Sequence, residues 1–295
     1  MKESKLIEMQ NKVESQTRVL QEIINELGQT RNIVVSLLEI VKNLEEYEPI
    51  IKKLQDDREA NSKNYLSNSN IQALTTEPRQ FQAPQKDGEA FVKGRYYHQL
   101  ILEPNKAKDF PIVDVKSRST MLYKDYVADN KLDYALLTKD AEQIKDMVDY
   151  TLESLPFFDL INDPSAEYEV PAIGEIMGAM WKGKADILTK DYCIDIKSSS
   201  DVFKFVRNAP YYFYHTQAYI YQHLFGKPVI FLVTGKTKKY DRHGNRYYDL
   251  GIFPVSENSM ALAEEKVGQA VASYEKWFAP DSPDNIDNYI INTPI

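Results

Sequence analysis

Cysteine is almost missing from this chain: Cys193 stands alone among 295 residues, so no disulfide can form within it, as suits a reducing cytoplasm. Long apolar runs are missing as well. No stretch approaches the ~20 residues that a spanning helix needs. The charged start Met1-Lys2-Glu3-Ser4-Lys5 has no apolar signal-peptide core. A soluble, cytoplasmic protein without membrane contact is therefore expected. Basic charge is also in deficit, with a net charge of −8 that argues against tight, non-specific clinging to nucleic acid. Any polyanion site has to be local. With 43% hydrophobic residues the chain can bury one substantial core and carry an appended element.

What is present is concentrated in Gly183-Lys184-Ala185-Asp186-Ile187-Leu188-Thr189-Lys190-Asp191-Tyr192-Cys193-Ile194-Asp195-Ile196-Lys197. On a strand, Asp195 and Lys197 share one face and Ile194 and Ile196 the other. Thr189-Lys190-Asp191 reads as a turn, and a hairpin centred there brings Asp186 nearly opposite Asp195. Two carboxylates and an ammonium then converge. Such a set suits phosphodiester hydrolysis: paired acids hold hard divalent cations, and lysine orients water or stabilises phosphoryl oxygens. Asp-x-Lys also occurs on ordinary solvated strand faces. Cys193, opposite or beside the reactive residues, reads as a small core side chain.

Three further segments stand in order around that hairpin. Tyr65-Leu66-Ser67-Asn68-Ser69-Asn70-Ile71 is followed by Glu77-Pro78; then comes Gly94-Arg95-Tyr96-Tyr97-His98-Gln99-Leu100-Ile101-Leu102-Glu103-Pro104; and Gln217 and Tyr221 lie on one helical face. Together these motifs resemble the PD-(D/E)XK nuclease superfamily, specifically its RecB-like branch and the RecE and phage λ-type exonucleases, over about residues 62–275. The resemblance implies an α/β core in which helices flank a mixed central sheet. It makes Asp186 and Asp195 metal ligands together with the Ile196 carbonyl, and Lys197 the residue that orients water. His98 matches a histidine at the metal site, although it also reads as an ordinary helix-face residue. Glu169 matches the upstream acid, with Glu167 and Glu175 as rivals. Gln217 and Tyr221 would steady the lysine or the DNA backbone, or else form a buried polar and aromatic pair. Mg²⁺, with Mn²⁺ as the alternative, is the implied cofactor, as two ions. A single cysteine excludes the four-thiolate iron–sulfur cluster of some relatives.

Lys204 and Arg207 follow the hairpin closely, and Lys236, Lys238, Lys239, Arg242 and Arg246 surround a second turn at His243-Gly244-Asn245. They read either as a basic DNA channel or as a solvated hairpin tip. Ala141–Leu155 and Ala261–Trp277 show helical spacing, while Val229–Val233 and Leu250–Val255 read as buried strands.

A separate signal precedes all this. Leu6, Val13, Leu20, Leu27, Val34 and Val41 recur every seven residues, with Met9, Ile23, Leu37 and Leu44 three places on. The pattern is that of a coiled coil, or of a long amphipathic helix packed on its own domain. The expected organisation is a coiled-coil helix over 1–48, a linker over 49–61, the RecE-like nuclease domain over 62–279 and an exposed tail over 280–295. The resemblance implies a 5′-to-3′ exonuclease on linear duplex DNA in phage-type recombination. It would work beside a single-strand annealing protein, as a homo-oligomer joined through the N-terminal helix. A structure-specific or single-strand nuclease, and a DNA-binding scaffold with little turnover, are the alternatives.

Overall fold

The computed structural model describes residues 65–291. The heptad segment over 1–48 and the linker over 49–61 lie outside the described residues.

In chain order the main elements are helices α1 Ile71–Thr76 and α2 Glu89–Leu102; strand β1 Ile112–Val113; helix α3 Met121–Asp129; strand β2 Leu136–Leu137; and helices α4 Thr138–Glu153 and α5 Leu155–Ile161. Strands β3 Glu167–Ile176, β4 Ala179–Leu188 and β5 Cys193–Ser199 follow, then helices α6 Phe205–Asn208 and α7 Tyr214–Phe225. Strands β6 Val229–Gly235, β7 Lys239–Tyr240, β8 Arg246–Tyr247 and β9 Leu250–Pro254 lead to helix α8 Glu257–Trp277.

Five strands form the main sheet in the order β3-β4-β5-β6-β9, mixed because β5 and β6 run parallel while the other neighbours are antiparallel. Each connection follows from local chemistry. Met177 and Gly178 join β3 to β4 with φ of +54° and +81°, the double left-handed geometry of a tight hairpin turn. At the next turn the Thr189 hydroxyl accepts the backbone N–H groups of Asp191 and Tyr192, so the polar triplet closes the hairpin read from the sequence. Parallel β5 and β6 require a crossover. Helices α6 and α7 supply it, and α7 ends at Gly226 with φ of +64°.

Alternation along β5 and β6 gives the sheet two apolar faces. Ile194, Ile196, Ile230 and Leu232 pack with α2, α4 and α5. Cys193, Phe231 and Val233 pack on the other face against Ala218 of α7. Trp181, fully buried, extends that second layer to α1, α7 and α8. The helix read as Ala141–Leu155 breaks at Ser154, because Pro156 starts a new helix where its missing N–H costs nothing. The closing helix begins earlier than its spacing suggested, at Glu257, where the Ser256 hydroxyl caps the Ser259 N–H. Residues 280–291 are largely exposed but tied down: Arg79 donates to the carbonyls of Asp287 and Tyr289, and the Tyr289 ring meets Trp277 edge-on. None of the described helices is long and apolar enough to cross a membrane.

Candidate active site

The site forms where β4 and β5 part. Their ladder pairs Ile187 with Ile194 and Leu188 with Cys193 and goes no further. At the opening, the Ile196 N–H, which would otherwise lose its cross-strand acceptor, donates instead to Asp186 Oδ2 at 2.8 Å. A side chain thus replaces a strand rung, and the carboxylate is fixed in the gap.

Asp195 and Lys197 project from the same face of β5, as strand alternation requires. Lys197 Nζ forms a close ion pair with the buried Asp195 Oδ2. Asp195 Oδ1 accepts from Gln217 Nε2 of α7 at 2.5 Å. From the opposite layer, His98 Nδ1 of α2 reaches within 3.3 Å of Asp186 Oδ2. Five of the residues singled out in the sequence therefore meet at one point: His98, Asp186, Asp195, Lys197 and Gln217. Tyr221 stands one turn beyond Gln217, over Gly183, where an added Cβ would lie 2.9 Å from its ring and from the Leu224 side chain.

Burial sets the protonation of this group. Asp195 is 1% exposed, and burial lifts its carboxyl to about 6 against the opposing charge of Lys197. Burial pushes Asp186 upward too, but the His98 charge and hydrogen bond, Lys197 and the Ile196 N–H together hold it below the usual carboxylate range. Burial alone would lower Lys197; Asp195 and Asp186 outweigh it and hold the ammonium above its normal range. His98 follows the same logic, with Asp186 overcoming desolvation to raise the imidazole. Cys193 lies on the face that carries Asp195, beside the reactive residues rather than behind them. Its thiol is buried and pushed well up by desolvation, so it is a packing group.

Glu169 lies across from Asp186. The β3–β4 register pairs Tyr168 with Ile187 and Val170 with Ala185 and skips the rung between them, where Glu169 adopts a φ of +55°. Its carboxylate pairs with Lys184. The rivals sit elsewhere on β3: Glu167 opposite Leu188, and Glu175 opposite Met180 near the distal turn.

The expected DNA-contacting cations are mostly committed within the chain. Lys204 pairs with Asp201, Lys238 with Asp146, and Lys239 with Asp249. Arg246, in the turn cluster, binds Asp146 and Glu153. Arg207 and Lys236 have no ion-pair partner among the described residues, and Lys236 is tied to the site by its N–H, which donates to the Ser199 carbonyl. The predicted turn at His243-Gly244-Asn245 does link two short strands, β7 and β8.

A family model described as a PDDEXK-like domain of unknown function matches residues 50–281. The chain belongs to this family. Its mixed sheet flanked by helices is the PD-(D/E)XK fold expected from the motifs. No curated protein matches the chain. Among solved structures, the chain is similar to a crystal structure of a candidate exonuclease from Eubacterium rectale, with 17% identity, a TM-score of 0.49, and coverage of 80% of this chain and 92% of that one.

The donor set suits a hard divalent cation. Buried carboxylates and a main-chain carbonyl are hard oxygen donors, and Asp195 Oδ2 already faces positive charge, that of the Lys197 ammonium. Among the described residues no three His, Cys, Asp or Glu side chains close into a ready-made cage. An ion would therefore draw further ligands from water, carbonyl or phosphate, as Mg²⁺ commonly does. His98 faces a carboxylate and would have to surrender its raised proton to ligate.

Two contributors escaped the sequence reading. Lys184 holds Glu169. Tyr214 places its ring 5.2 Å from Lys197 Nζ, and its i, i+3 spacing from Gln217 was the available signal.

Proposed function

We propose that this chain is a metal-dependent deoxyribonuclease. The observation that carries the reading is the convergence of Asp186, Asp195 and Lys197 at the parting of β4 and β5. Asp186, Asp195 and the Ile196 carbonyl would hold Mg²⁺ or Mn²⁺ as one or two ions, with Glu169 and His98 at the margin. A bound divalent cation supplies charge neutralisation at the scissile phosphate and a more acidic attacking water. Lys197, held above the normal lysine range, remains an ammonium; it orients that water and stabilises phosphoryl oxygens rather than accepting a proton. Gln217 positions Asp195, and Tyr221 backs that arrangement.

The RecE-like motifs support a finer reading: 5′-to-3′ digestion of linear duplex DNA in phage-type recombination, alongside a single-strand annealing protein. The heptads of residues 1–48 support a homo-oligomer. Lys204, Arg207, Lys236, Lys238 and Lys239 are the cations proposed to meet the DNA backbone, with Arg207 and Lys236 the readiest. The alternative is a DNA-binding scaffold with little turnover; the in-chain neutralisation of three of those five cations weighs against it, because binding alone would be its function.

Wild type and Lys197→Ala, each with Mg²⁺ or EDTA, should be incubated with 5′-phosphorylated linear duplex, closed circular duplex and single strands. Loss of linear duplex alone, requiring both metal and Lys197, is the expected result. Intact DNA in every arm with a retained gel shift would establish the scaffold instead.

A further inference from the structure

The connection from β5 to α7 presents aromatic rings to solvent directly beside the catalytic cluster. Tyr211 is 86% exposed and Tyr212 59%. Isolated exposed apolar residues are unremarkable on a protein surface; these are adjacent and rigidly presented. The N–H groups of Tyr211 and Tyr212 both donate to the Asn208 carbonyl, and that of Tyr214 to Ala209. Below them, Phe205 is buried and stacked on Tyr214 and Phe253, which anchors the segment to the sheet.

The rings form a path. Tyr212 stacks on Tyr214 with centroids 5.6 Å apart and planes inclined by 30°, and the Tyr214 ring lies 5.2 Å from Lys197 Nζ. Tyr211 meets Tyr212 near edge-on at 6.4 Å. Aromatic faces thus lead from solvent to the ammonium. Two cations precede the path in the chain, at the short helix α6: Arg207 has no ion-pair partner among the described residues, and Lys204 is paired with Asp201 at 2.8 Å.

We infer that Tyr211 and Tyr212 form a stacking platform for unpaired bases of the DNA strand whose phosphate reaches Lys197. Exposed tyrosine faces fit unpaired nucleotides, because bases inside a duplex already have both faces covered by their neighbours, whereas single strands offer free π-surfaces. Arg207, on the short helix just before the rings and without an ion-pair partner among the described residues, is the cation available to the phosphates that join those bases. This inference rests on the nuclease reading and adds to it the form of the substrate: a strand end, single-stranded or frayed, engages the protein before its phosphate is hydrolysed.

The test uses the full chain in EDTA, so that binding is measured without cleavage. Fluorescein-labelled oligo(dT) is titrated by anisotropy, and an oligonucleotide carrying 2-aminopurine reports stacking by its quenching. Tyr211→Ala/Tyr212→Ala should weaken binding roughly 5- to 100-fold and abolish the quenching. Tyr211→Phe/Tyr212→Phe should retain both, and so should Phe158→Ala, an exposed aromatic on α5. Should the double alanine variant fail to fold by thermal melting, Tyr211→Ala alone serves, with the same loss of quenching expected. Unchanged binding and quenching would overturn the platform. So would intact oligonucleotide binding with an altered gel-filtration volume, which would assign the rings to a protein contact. Cleavage of linear duplex by wild type, followed in parallel, separates the two readings. Tyrosine-dependent binding without cleavage leaves the platform and removes the nuclease; cleavage with tyrosine-independent binding does the reverse.

Discussion

Glu169 and Asp186 face each other across β3 and β4 at a rung where the ladder is interrupted, both neighbouring rungs being paired in register. One residue has left the ladder for β5, and the other has turned into the left-handed region. A non-glycine residue there costs of order 1–3 kcal/mol and persists where its surroundings over-determine it.

That cost gives a test of Glu169. Glu169→Gly relieves the backbone while deleting the carboxylate, so the melting temperature should hold or rise as nuclease activity falls at least tenfold. A variant of full activity would remove Glu169 from the metal site. A variant that is both inactive and strongly destabilised would mean that its pairing with Lys184 serves the fold.

Gln217 acts through Asp195 rather than on substrate. Gln217→Ala should raise the Mg²⁺ concentration for half-maximal activity by about 10–100-fold, the usual consequence of losing a group that orients a metal ligand. The maximal rate at saturating metal should fall much less. An unchanged metal requirement would make the 2.5 Å contact merely structural.

The raised carboxyl of Asp195 carries a defined pH dependence. Because its folded value is about 6 and its unfolded value about 4, its stabilising contribution is complete below about pH 4 and is lost as pH rises through 6. Asp186, depressed, behaves oppositely: its contribution is present above about pH 4 and is lost as pH falls through its folded value. In EDTA, Asp195→Asn should therefore melt above wild type at pH 7.5, with the gap about halved at pH 5 and closed below about pH 4. A gap that is constant across pH, or of opposite sign, would sink this account of the buried charge. Mg²⁺ binding should also weaken below about pH 6 as protons compete for the same oxygen.

Gly183 tests the support beneath Tyr221. Gly183→Ala places a methyl 2.9 Å from the Tyr221 ring and the Leu224 side chain, and overpacking of this kind typically costs about 1–3 kcal/mol. Chemical denaturation should register that loss, and activity should drop with it because α7 also carries Gln217. Wild-type stability in this variant would mean that α7 yields freely.

Period-two alternation and the Thr189-Lys190-Asp191 turn were sufficient to place Asp186, Asp195 and Lys197 together, because a hairpin is decided by neighbours in sequence. Gln217 and Tyr221 were singled out by the resemblance to the RecB-like branch, helical spacing adding only that they share one face. What escaped depended on distant partners. Nothing near Lys238 or Lys239 announces that Asp146 and Asp249 will neutralise them. Nor does the strand pattern of Glu167–Val170 reveal the left-handed turn at Glu169, which sits at the rung that Asp186 has left. The break at Pro156 was readable in principle, yet the continuing apolar periodicity through Leu155 concealed it.

His98 arrives from the helix layer on one side of the sheet and Gln217 from the layer on the other, and they meet only through the two aspartates between them. An incompletely folded chain, or a fragment lacking either layer, leaves the aspartates and lysine without one of their clamps. In the proposed nuclease, hydrolytic competence would thereby depend on both helix layers being in place, and a chain trimmed of either should bind the same metal less tightly and cleave less.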